Sequence, residues 1–171
     1  MIKHLRNVTL LLALALSFGA CNKDRLQVDP VNQVLSSTYY QTELHVSEAL
    51  IGAYDPVGWT MAYGQWISPV MFGEIRSDNA NAGGDPSNND QPGWQEFDDF
   101  TETNVNTVLH PLYRRSYIGI NRVNSLLNNT DTSDPELSSD AVQVYLAEAK
   151  FLRAFYHFEL FRHFGPIPVV T

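Results

Sequence analysis

Apolar positions in the second half of the chain recur with the period of a helix, and the strongest such run is the last. Leu146, Ala149, Phe151, Leu152, Ala154, Phe155, Phe158, Phe161 and Phe164 follow helical spacing, while Glu148, Lys150, Arg153, Glu159 and Arg162 leave only a narrow wet stripe. The pattern predicts a helix over 145–164 that is buried on most of its circumference. Arg162 and His163 suit the negative end of the helix dipole, Gly165 suits a left-handed C-terminal position, and Pro166 forbids continuation. Residues 166–170 are therefore expected to run extended.

Upstream, a helix is expected over 42–54, with Thr42 as cap, Glu43 in the positive first turn, and Leu44, Ala49, Leu50, Ala53 and Tyr54 on one apolar face. Asp55-Pro56 ends or kinks it. A less regular helix is expected over 63–74, with Trp66, Ile67, Val70 and Met71 inward and Pro69 as a local disturbance. Residues 76–103 are dense in Asn, Asp, Gly and Pro and read as one long loop, with Trp94, Phe97 and Phe100 just beyond its polar part. Unstructured connections of this length are uncommon inside a compact domain and are either functional or mobile.

A further helix spans 108–128, with Pro111 in its first turn and Leu112, Tyr113, Tyr117, Ile120, Val123, Leu126 and Leu127 setting the period. The polar connection after it offers Asp134 as a cap before Pro135, or Ser138 or Ser139 as the cap of the terminal helix. Two long antiparallel helices follow from that short link. No stretch shows sustained strand alternation, so the fold class is all-α.

With 171 residues, 44% of them hydrophobic and 12% aromatic, the chain has the make-up of one folded domain. Its formal charge of -8 leaves no broad basic surface for a phosphate backbone, which excludes nucleic acid as the expected partner. The first residues alter the expected compartment. Lys3, His4 and Arg6 precede an apolar run over 8–18 that is too short to span a bilayer, the pattern of an export signal. It ends in Gly19-Ala20-Cys21, small residues directly before the single cysteine of the chain. A lone cysteine forms no internal disulfide, and this one stands where a bacterial lipoprotein signal is cleaved and acylated, with Phe18 in place of the usual leucine. Residues 1–20 are thus expected to be a lipoprotein signal peptide, 21–35 a flexible tether lacking periodicity, and 36–171 the folded domain.

Three segments, in order, resemble the SusD/RagB family of outer-membrane nutrient-binding lipoproteins of Bacteroidetes. Ala49-Leu50-Ile51-Gly52-Ala53-Tyr54 is similar to the family's Ala-Leu-x-Gly-Ala-Tyr. Tyr113, Tyr117, Ile120, Asn121 and Asn124 follow its second pattern, with Tyr113 where the family has Trp. The run Ala147-Glu148-Ala149-Lys150-Phe151-Leu152-Arg153-Ala154, continued into Phe164-Gly165-Pro166-Ile167-Pro168-Val169, is similar to its most characteristic one. The resemblance implies tetratricopeptide-like helix pairs with long irregular loops. It also implies capture without catalysis: a lipid-anchored protein on the cell surface that binds oligosaccharides or other nutrients and caps a TonB-dependent, SusC-like transporter. Ala147, Phe151 and Ala154 match the spacing of a repeat's second helix, but Glu159 stands where its proline is expected. The resemblance is to the N-terminal region of a longer family, which makes the terminal helix an interior one whose Phe side chains should be partly exposed.

Sugar capture needs flat apolar faces for pyranose rings and planar polar groups for hydroxyls. Arg76, Asp78, Asn79 and Trp94 are the candidate ligand-facing residues, with Trp94 stacking and the others hydrogen-bonding. Asp78 and Asn79 equally suit turn bonds to their own backbone, and Trp94 suits an anchor of the loop to the core. The loop lacks the alternating acids and closing glutamate of a calcium site, and His157 and His163, six apart, do not share a helix face. Neither a metal nor a cofactor is expected. Glu96, Asp98 and Asp99 evoke the paired carboxylates of a glycosidase, but sequence neighbours do not make its geometry, and ordinary solvated charge is the simpler reading. No catalytic residue is assigned.

Overall fold

The computed structural model describes residues 39–171 apart from 63–64, 86 and 89. The expected signal peptide, tether and Cys21 lie outside the described residues. Within them the fold is all-α: α1 (Glu43–Tyr54), α2 (Pro69–Ile75), α3 (Pro92–Asp98), α4 (Leu109–Asn129) and α5 (Asp140–Phe164). Short 3-10 turns at Asp55–Gly58 and Pro135–Leu137 join them. A two-residue antiparallel hairpin, β1 (Met61–Ala62) and β2 (Gln65–Trp66), precedes α2.

The helix ends follow their side-chain chemistry. Thr42 Oγ1 accepts from the His45 N–H at the start of α1, and Ser139 Oγ from Val142 N–H at the start of α5. Asp134 caps the 3-10 turn instead, so each of these two expected caps serves its own element. At the far end of α5, Gly165 takes a φ of 69° and its N–H reaches Phe161 O at 2.9 Å.

Helices α4 and α5 form an antiparallel pair, as shown by facing residues: Gly119 meets Tyr156, and Arg153 donates to Asn124 Oδ1 at 3.0 Å. Helix α1 packs on both and completes a core of Val46, Leu50, Ile120, Val123, Leu126, Val142, Leu146, Leu152 and Leu160. The Tyr156 hydroxyl donates to Ala53 O at 2.6 Å and ties α5 to the end of α1. Arg122 of α4 does the same from the other side, donating to Gly52 O and to Asp55 Oδ2, both at 2.7 Å. That bond holds the Asp55 carboxyl below its usual range.

A second, smaller core gathers Ile67, Phe72, Ile75, Trp94, Phe97, Val108 and Leu112, and Phe164 packs against both cores. Arg115, buried between them, donates to Trp59 O and Ile67 O and so fastens the hairpin segment to α4. Burial lowers the Arg115 pKa, an effect opposed by the nearby Glu159 carboxylate.

Three expectations need correction. Leu44 and Tyr54 of α1 are exposed, and Val46 takes the core position: the inward stripe is 46, 50, 53, which keeps Leu50 and Ala53 of the face read in the sequence and replaces its two ends. The helix expected over 63–74 starts only at Pro69, which opens α2 at a position where its missing N–H costs nothing. Ile67 is buried before it, while Trp66, in the hairpin, is 47% exposed. Lastly, 76–103 is not one loop, because α3 folds inside it.

The outer side of α5 is also less covered than its sequence indicates. Its buried stripe is Val142, Leu146, Ala149, Leu152, Tyr156, Glu159 and Leu160. Opposite stand Phe151, Phe158 and Phe161, 67, 59 and 60% exposed, the partial exposure expected of these side chains. No described helix is long and apolar enough to cross a membrane.

Candidate functional site

The segment between α2 and α4 is built around one buried amide. Asn106 Nδ2 donates to Gly93 O and to Glu96 Oε2, both at 2.9 Å, and its Oδ1 accepts from the N–H groups of Val108 and Leu109. One side chain thereby holds α3 and caps the first turn of α4. Asp98 Oδ2 accepts from Ala82 N–H at 2.9 Å and fixes the polar part of the segment to the same helix. Glu96 and Asp98 are thus both engaged in bonds that hold this segment together.

Arg76, at the C-terminal end of α2, is held by four contacts. Its guanidinium lies 4.5 Å from the ring centroids of both Phe97 and Phe100, pairs with Glu102 Oε1, and donates to Phe97 O at 3.4 Å. Beside it opens a pocket of about 270 Å³ lined by Phe72, Arg76, Phe97, Glu102, Leu109, Arg162 and His163. Arg162 reaches in from the last turn of α5, with its own counter-ion in Glu159 Oε2 at 2.9 Å. His163 Nδ1 faces Glu159 O at 2.7 Å, and its ring meets Phe72 edge-on. Glu102 Oε2 is buried and has no hydrogen-bond partner in the structure.

Of the four candidate ligand residues, Arg76 alone lines this pocket. Asp78 and Asn79 are exposed in the turn just after it, where Asn79 N–H reaches Ser77 Oγ at 3.3 Å. Trp94 is in the core. It is 3% exposed, set edge-on against Phe72 and Phe97, and presents no open face to a sugar ring. The stacking role expected of it is not available in this geometry; the indole anchors α3 instead. Sequence reasoning missed Glu102, Arg162, Phe72 and Leu109. Arg162 and His163 carried a clear signal, the basic last turn of a long helix, but that signal reads first as dipole compensation.

The motif residues of α4 have a different task. Tyr117 donates to Pro168 O at 2.8 Å, Asn124 Nδ2 to Val170 O at 3.3 Å, and Val170 N–H to His157 Nε2 at 3.3 Å. The extended tail after Gly165 is therefore pinned along the α4–α5 pair. Burial, with Tyr113 alongside, pushes the Tyr117 hydroxyl up to about 12.

Among the described residues, the helical body thus carries a small pocket lined by both charged and aromatic side chains. The chain belongs to the SusD-like family: residues 25–171 match the family described as "Starch-binding associating with outer membrane". Its relatives include three proteins of Formosa agariphila. SusD-like protein P38 is 27% identical over 99% of this chain and 31% of its own length. SusD-like protein P2 is 23% identical over 93% of this chain and 30% of its own. SusD-like protein P25 is 25% identical over 98% of this chain and 32% of its own. The chain thus spans about a third of the length of these curated relatives. No solved structure matches it.

Proposed function

We propose that this chain binds a nutrient glycan without catalysis, as part of a surface lipoprotein that passes the glycan to a TonB-dependent, SusC-like outer-membrane transporter. The observation that carries the reading is the pocket beside Arg76, in a chain of a family described by starch binding and the outer membrane. Arg76 supplies fixed donors and Phe72, Phe97 and Leu109 the apolar part of the lining, while Asp78 and Asn79 are exposed polar groups two and three residues after Arg76. Cys21, acylated after signal cleavage, would hold the body at the outer-membrane surface.

Two assays test this. The full chain should be retarded in gels containing a polysaccharide it binds, and Arg76→Ala should migrate freely; retardation by none of a broad panel would remove the glycan reading. Cys21→Ser should abolish labelling by palmitate, and retained label would refute anchoring through that residue.

A second reading, a lipid-anchored helical scaffold that binds only protein, is favoured by one feature: the exposed Phe151, Phe158 and Phe161 row. Polar replacement of that row would abolish partner binding under this reading and leave glycan binding intact under the first.

A further inference from the structure

We infer that the pocket takes a single uncharged saccharide unit at the end of a chain, not a run of units lying across the surface; the inference rests on the glycan-binding reading above.

Size is the first argument. At about 270 Å³ the pocket falls just under the roughly 300–1,000 Å³ of sites that enclose drug-sized ligands, which leaves room for one six-membered ring. Leu109 and the edges of the buried Phe72 and Phe97 form the apolar part of its lining.

Charge is the second. Each arginine of the pocket already has a carboxylate, Arg76 with Glu102 and Arg162 with Glu159. A ligand carboxylate would have to compete with both and would meet Glu102 at close range. A hydroxyl donates and accepts, so it can join these pairs without breaking them. The chain's formal charge of -8 further opposes the approach of polyanionic glycans.

The third is an unmet acceptor. Glu102 lines the pocket, and its Oε2, closed to solvent, has no partner, a costly state for an acceptor. A carboxylate turned into the pocket would find its donor in a sugar hydroxyl.

The fourth concerns what surrounds the mouth. An extended glycan needs a row of open rings, and the two phenylalanines that line this pocket, Phe72 and Phe97, are only 3 and 6% exposed. Phe100, exposed and adjacent, already has Arg76 over its ring.

Titration calorimetry decides it, with the full chain in detergent and neutral oligosaccharides of glucose, galactose, mannose and xylose, one to seven units long, beside glucuronate and galacturonate oligomers. Affinity for one neutral series should level off by the second unit. Glu102→Gln should weaken it by about tenfold to hundredfold, the range for a hydrogen bond to a charged group. Arg162→Ala, at a half-exposed position, should weaken it too and serves if Glu102→Gln fails to fold. Affinity that climbs with every added unit would overturn end recognition, and preference for a uronate series would overturn the uncharged ligand; glycan binding survives both. Silence across the whole panel would overturn the inference and the glycan reading together.

Discussion

Tyr156 of α5 lies with its ring against Gly119 of α4, so close that a Cβ at position 119 would overlap the ring. The same ring carries the hydroxyl that reaches Ala53 O on α1. One glycine thus sets how near the three long helices come. Gly119→Ala should force the ring outward and cost about 1–3 kcal/mol, seen as a fall of roughly 2–12 °C in Tm by circular dichroism. An unchanged Tm would mean the α4–α5 pair is not packed this tightly.

Tyr156 also makes stability sensitive to alkali. Burial pushes its hydroxyl up to about 12, above the roughly 10 of an unfolded tyrosine. The unfolded chain therefore loses this proton first as pH rises, so the contribution is complete below about pH 10 and is lost on the way to about 12. Urea midpoints should hold from pH 8 to 9.5 and then drop. Tyr156→Phe should start lower, for want of the Ala53 bond, and drop less steeply; Tyr117, also raised to about 12, keeps part of the slope.

Trp94 divides packing from binding. Trp94→Ala empties a core position and should cost about 3–5 kcal/mol. Trp94→Phe removes an indole N–H that has no hydrogen-bond partner, so it should cost far less and leave glycan affinity unchanged. Loss of affinity in a folded Trp94→Phe protein would restore the indole to the site.

The outer row of α5 predicts surface behaviour. Phe151→Ser with Phe158→Ser should change Tm by little, since both rings are mostly exposed, while binding of a hydrophobic dye falls. A large loss of stability would show that the row is covered.

How much of this was legible in the sequence depends on element length. Helices α4 and α5 carry many turns of period, and α5 declares its own end through Gly165 and Pro166. Seven-residue α3 spans too little chain to show a period, and its fold depends on Asn106, thirteen residues beyond Gly93. A single asparagine in a polar loop gives no hint that it will be buried with four bonds. The pocket was hidden for the same reason: Arg76 stood out, but its neighbours Glu102 and Arg162 stand 26 and 86 residues further along the chain and meet it only after folding. Trp94 misled because composition says what an aromatic ring is able to do, not which way it faces.

The location of binding tests the central claim most directly. Backbone amide shifts of the isotope-labelled full chain, followed by NMR as the tightest-binding saccharide is added, should move at Arg76, Glu102, Leu109 and His163. Shifts confined to the α5 Phe row or the far end of α4, or none with any saccharide, would contradict the account.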